Sequence, residues 1–141
     1  MTKDSRPIVI VDADVIVAQS ILNDSNHNKA LHASNTLKEI KARIVYSATA
    51  ILEAVTVIQK KRSSVLAYNV ANLLTKDRVE VAQVDDDILA NAMAYFNPTT
   101  SKKNTLFDCV IMAVANKYNT DIIFSFDKFY TKQGFRLVSE F

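Results

Sequence analysis

Short β-branched runs alternate with segments of helical period along this chain, and that order constrains the fold more than any other feature. PIVIVDAD near the start reads as a buried strand ending near Asp12, followed by strands RIVYS (43–47), VEVAQV (79–84), DIIFSFD (121–127) and FRLV (135–138). Between them VIVAQSIL (15–22), HNKALHASNTLKEIKA (27–42), TAILEAVTVIQKK (49–61), SSVLAYNVANLLTKD (63–77) and DDDILANAMAYF (85–96) carry helical composition and spacing. Ser63 or Ser64 is placed to cap the fourth helix, and Asn97–Pro98 to stop the fifth. A polar loop, NPTTSKKN, then leads into the apolar helix TLFDCVIMAVA (105–115). With one Gly and two Pro there is little punctuation, so most of the chain is expected in regular structure. The alternation predicts an α/β domain over 1–141, a three-layer α/β/α sandwich with a mainly parallel central sheet of four to five strands. In such sheets functional groups gather beyond the carboxyl ends of the strands.

Bulk properties exclude several classes. Hydrophobic residues make up 49% and charged residues 23%, the balance of a globular chain and not a disordered one. No apolar run approaches the ~20 residues that span a bilayer. The opening MTKDSRPIVIVDAD has too short an apolar stretch for a signal peptide, so a cytoplasmic setting is expected. The single Cys109 excludes an internal disulfide and a cysteine-based zinc site. A net charge of +2 does not by itself argue for nucleic acid. Basic character is local, at KKR (60–62), KK (102–103) and the tail residues Lys128, Lys132 and Arg136.

Acids lie where apolar chemistry surrounds them. Asp12 and Asp14 close the first strand, Glu53 interrupts AILEAVTVI, Asp108 interrupts TLFDCVIMAVA, and Asp127 follows IIFSF. No Lys or Arg occupies 104–107 or 109–116, although an ionised carboxylate among apolar side chains needs a partner. Acids at matching places suggest one shared pocket. There they repel and their pKa values rise unless positive charge arrives. A hard divalent cation, Mg²⁺ or Mn²⁺, suits all-oxygen ligands, takes one or two carboxylates plus substrate phosphate oxygens, and leads to metal-assisted phosphodiester hydrolysis. Asp85, Asp86 and Asp87 read instead as helix-capping charges. His27 and His32 read as surface residues, Cys109 as a core thiol, and Tyr46, Tyr68, Phe96 and Tyr118 as core or interface aromatics.

The order VDADVIV, ILEAV, TLFDCVIMAVA, FSFDKFY resembles the PIN-domain family over essentially the whole chain. These are small metal-dependent ribonucleases, many of them VapC-type toxins of toxin–antitoxin pairs. The family pattern falls on Asp12, Glu53, Asp108 and Asp127, and its strand-end Thr or Ser on Ser125. Asp14 departs from it, since the family more often has Asn, Ser or Thr there. The resemblance implies catalytic Asp12, Glu53, Asp108 and Asp127, with Asp14 and Ser125 supporting them. On this reading Asp12 and Asp108 share a Mg²⁺ or Mn²⁺ ion, and Ser125 orients Asp127 by a hydrogen bond. It also implies an RNA substrate, an antitoxin partner and a homodimer joined through 27–42 or 49–77. Two other readings stand beside it. Asp12-Ala-Asp14 mimics the nucleophile pair of a haloacid-dehalogenase-like phosphatase, although Ile16 stands where that family has Thr or Val. The third is a catalytically silent PIN-like binding module.

Overall fold

The computed structural model describes residues 4–141. Five strands, β1 (Ile8–Val11), β2 (Arg43–Ser47), β3 (Glu80–Ala82), β4 (Ile122–Phe124) and β5 (Arg136–Leu137), form one all-parallel sheet in the order β3-β2-β1-β4-β5. The helices are α1 (Ala13–Ser20), α2 (His27–Glu39), α3 (Ala48–Lys61), α4 (Ser64–Leu74), α5 (Asp86–Ala92), α6 (Leu106–Lys117) and α7 (Phe129–Lys132). They complete the expected three-layer α/β/α arrangement. Parallel strands need crossovers, and here the crossovers are the helices that cover the sheet. No helix among the described residues is long and apolar enough to cross a membrane.

Strand alternation assigns the two faces. Ile10 lies level with Val45 and Ile123, whereas Val11 lies level with Tyr46 and Phe124. α2 lies over the face bearing Val11, Ile44, Tyr46 and Phe124, while α3 and α6 pack against β2 and β1. Val9, Val45, Ile58, Met112, Val114 and Ile123 are fully buried in the resulting core.

Helix ends follow local rules. Ser63 caps α4 by accepting from Leu66 N at 3.1 Å, and Asp85 caps α5 by accepting from Ile88 N at 2.9 Å. The lone glycine, Gly134, sits at φ +93 after α7, where Phe135 N reaches back to Tyr130 O. α5 is shorter than the expected 85–96. From Met93 to Tyr95 the amides bond three residues back, the tighter turn that ends many helices. The four-residue α7 was not expected, because one turn leaves no periodic signal in sequence. Tyr68 and Phe96, expected in the core or at an interface, are exposed in this chain.

The strand order reverses between β1 and β4. β2 and β3 follow β1 outward on one side, and the chain then crosses to β4 and β5 on the other. At such a switch point the connections leave in opposite directions and open a crevice beyond the carboxyl ends of the strands.

Candidate active site

That crevice is where the acids meet. Asp12, Asp14, Glu53, Asp108 and Asp127 line one cleft of about 350 Å³, together with Asp24, Lys61, Lys103 and Thr105. Asp12 and Asp14 arrive together at the β1–α1 junction, and the other named acids on separate segments. Asp12 follows β1, and its amide donates to Phe124 O at 3.0 Å, so β1 and β4 are joined at the mouth of the cleft. Its Oδ1 accepts from Ala13 N at 2.7 Å and caps α1. Asp14 stands in the first turn of α1, Glu53 midway along α3, Asp108 in the first turn of α6, and Asp127 between β4 and α7. Asp108 Oδ2 accepts from Thr105 N at 2.9 Å, a reach back that fixes the start of α6.

Hydroxyls and amides hold the carboxylates in place of cations. Tyr130 Oη lies 2.7 Å from Asp12 Oδ2 and 3.3 Å from Asp108 Oδ1. Its single proton therefore serves two acids. Ser125 Oγ lies 3.1 Å from both Asp12 Oδ2 and Asp14 Oδ2, and accepts from Asp127 N at 3.1 Å. Ser125 thus bonds the backbone of Asp127, while its proton goes to the other two acids. The hydrogen bond between Ser125 and Asp127 therefore lies at the amide and not at the Asp127 carboxylate. That carboxylate instead accepts from Phe129 N at 2.9 Å and Asn104 Nδ2 at 3.2 Å. Asp14 Oδ2 also accepts from Phe126 N at 2.9 Å, but its Oδ1 is buried with no partner among the described residues.

The electrostatics are those of crowded acids. Burial, then the charge of Asp14, raises Asp12 far above the usual carboxylate range. Burial raises Asp14 and Asp108, and it raises Glu53 with help from the charges of Asp108 and Asp14. Tyr130 is pushed well up by burial and by Asp12 and Asp108, so it remains a proton donor. No Lys or Arg forms an ion pair with these acids among the described residues.

This donor set fits a hard divalent cation. It is all oxygen, it carries excess negative charge in a half-buried cleft, and the orphaned Asp14 Oδ1 is a strong acceptor with no donor. Among the described residues no three acids already converge on a single coordination point. The Tyr130 and Ser125 hydroxyls meanwhile hold Asp12, Asp14 and Asp108 together.

The sequence reading named Asp12, Asp14, Glu53, Asp108 and Asp127 and missed Asp24, Tyr130 and Asn104. Tyr130 lies three residues beyond Asp127, and a buried aromatic hydroxyl is indistinguishable in sequence from a core ring. Asn104 ends a polar loop where amides are common. Asp85–Asp87 take no part in the cleft, as expected of capping residues. Cys109 is fully buried, His27 Nδ1 bonds Ala18 O at 2.7 Å, and His32 is exposed.

A family model described as "PIN domain" matches residues 9–135. No curated protein matches the chain significantly in sequence. Among solved structures, Mycobacterium tuberculosis VapC20, described as a sarcin-ricin loop cleaving toxin, superimposes with a TM-score of 0.78. The match has 19% identity and covers 91% of this chain and 96% of that one.

Proposed function

Because this chain belongs to the PIN domain family, we propose that it is a metal-dependent endoribonuclease that hydrolyses RNA phosphodiester bonds in the carboxylate cleft. The observation that carries this reading is the convergence of Asp12, Glu53, Asp108 and Asp127, from four separate segments, in one cleft without ion-pair partners among the described residues. The likeness to a toxin supports an RNA substrate and a role as the toxin of a toxin–antitoxin pair, with the antitoxin as protein partner.

In this reading Asp12 and Asp108 hold Mg²⁺ or Mn²⁺, and Tyr130 sets the spacing of the two carboxylates. When bound, the cation would neutralise phosphate charge and make a water more acidic. Glu53 accepts no hydrogen bond among the described residues and has a raised pKa, so it is the side chain free to take a proton from the attacking water. Asp127, steadied by Phe129 N and Asn104, orders solvent in the same cleft. Asp14 supports through Ser125 and Phe126 N. Lys61 and Lys103 on the cleft lining draw in the polyanion.

The family match over residues 9–135 favours the nuclease over the phosphatase alternative. Leu52, Val65, Tyr68 and Leu73 are large apolar side chains exposed on α3 and α4, which supports a homodimer through these helices. Light scattering should show a dimer, and a monomer at roughly tens of micromolar would exclude a stable one.

The main test is RNA cleavage with Mg²⁺ or Mn²⁺, with chelator, and in Asp108→Asn. The variant should lose about 100-fold or more of the activity, the scale for removing a positioned catalytic group. Full activity in the variant, or undiminished cleavage in chelator, would sink the mechanism. Cation binding without cleavage by the wild-type chain would leave a silent binding module.

A further inference from the structure

A second concavity lies beside the carboxylate cleft, and the mechanism above does not use it. The turns after α5 and the loop before α6 enclose about 560 Å³, within the range of ligand pockets (roughly 300–1,000 Å³). Its apolar part is Met93, Phe96 and Leu106, and its polar part includes Asn97, Lys102 and Asn104. Phe96 is 36% exposed and Met93 53%, so folding left this apolar surface in water.

Three features tie the pocket to the acids. Thr105 lines both the pocket and the cleft. Asn104 Nδ2 donates to Asp127 Oδ2, so a wall of the pocket is hydrogen-bonded to the acid cluster. Adjacent lysines divide between the two spaces, Lys102 to the pocket and Lys103 to the cleft.

We propose that the pocket takes one nucleobase of single-stranded RNA, next to the phosphate held in the cleft, with Phe96 as its stacking platform. The proposal rests on the nuclease reading. Unpaired RNA bases are recognised by stacking on aromatic faces and hydrogen-bonding along their edges. Phe96 provides the face, and the rim provides one donor and one acceptor. Asn97 Oδ1 is occupied by Thr99 N and Oγ1, which leaves its Nδ2 to donate. Asn104 spends an Nδ2 proton on Asp127 and keeps its Oδ1 to accept. Lys102 and Lys103 flank the connecting phosphate. A purely apolar partner would leave Lys102, Asn97 Nδ2 and Asn104 Oδ1 without a counterpart.

The test measures binding of a short, unstructured, labelled oligoribonucleotide by fluorescence anisotropy. The Asp108→Asn protein is the background, so that the RNA stays intact. Adding Phe96→Ala should weaken binding by roughly 5- to 150-fold, the scale of losing one base stack. Phe96→Tyr should retain it. An RNA with one abasic nucleotide, moved along the strand, should show a similar loss at a single position, with no further loss when combined with Phe96→Ala. Unchanged melting temperatures keep the comparison free of folding effects. Equal affinity in Phe96→Ala, losses that simply multiply, or no RNA binding at all overturns the pocket. Wild-type cleavage is read in parallel. Intact cleavage with Phe96-independent binding overturns the pocket alone, whereas absent cleavage with Phe96-dependent binding overturns the nuclease reading and keeps the pocket.

Discussion

The two ends of the parallel sheet use the same acidic residues in opposite ways. At the amino ends of the strands each acid of the described ion pairs has an arginine. Arg43 Nε donates to Glu80 Oε1 at 2.7 Å across the starts of β2 and β3, and Arg136 Nε donates to Asp121 Oδ2 at 2.9 Å beside the starts of β5 and β4. Arg6 pairs with Asp4 at 2.7 Å just before β1. These arginines lower Asp4, to about 2, and also lower Glu80 and Asp121. At the carboxyl ends six acids, Asp24 among them, share a cleft with no ion pair among the described residues, and Asp12, Asp14, Glu53 and Asp108 are all raised. One end is electrostatically satisfied and the other is left with a deficit of positive charge. Such a deficit weakens the fold without a bound cation and fits the end proposed above to bind one.

The largest expected effect comes from removing charge at the crowded end. Asp12→Asn keeps an acceptor for Ala13 N and removes a buried carboxyl whose ionisation burial and Asp14 oppose. In chelator it should stabilise the fold by about 1–3 kcal/mol, the scale of an uncompensated buried polar or charged group. With Mg²⁺ or Mn²⁺ the advantage should shrink or reverse, because the wild type then gains binding energy that the variant loses. Urea unfolding in both buffers measures this. A variant less stable than wild type in chelator would break the comparison.

Smaller, opposing effects should appear in the pH dependence. Raised folded pKa values at the carboxyl end mean that the unfolded chain releases these protons first. Their contribution is fully present below about pH 4, the ordinary carboxylate value, and is lost as pH rises through the raised folded values. The lowered acids at the amino end work the other way. Their contribution is present above about pH 4 and is lost as pH falls through the lowered folded values. Thermal melts in chelator should therefore show stability declining from mildly acidic pH toward neutrality and beyond. A divalent cation should flatten that decline. Added salt should weaken the acid-side loss, since the arginine pairs are exposed and screened. Stability rising steadily from acid to neutral pH in chelator would contradict the assignment of the crowded end.

Much of this architecture is legible one segment at a time. The β-branched runs, the helical periods, Ser63 as a cap and the acids beside IVIV and IIF are local signals. Alternation then implies a parallel sheet, and a parallel sheet implies that Asp12 and Asp127 leave at the same end. The charge contrast between the ends is less legible, because Arg43 and Glu80 are 37 residues apart and become partners only through the β2–β3 register.

The sequence by itself determined the elements, their order and which carboxylates face an apolar setting, because each depends on residues within a few positions of one another. Tertiary structure decided how those carboxylates are held. Tyr130 reaches Asp12 across 118 residues and Asp108 across 22, and Ser125 reaches Asp12 across 113. Those distances close only because β4 lies beside β1 and the single turn of α7 drives the Tyr130 ring into the core. A hydroxyl's partner is fixed by where packing leaves its oxygen, and no spacing along the chain encodes that.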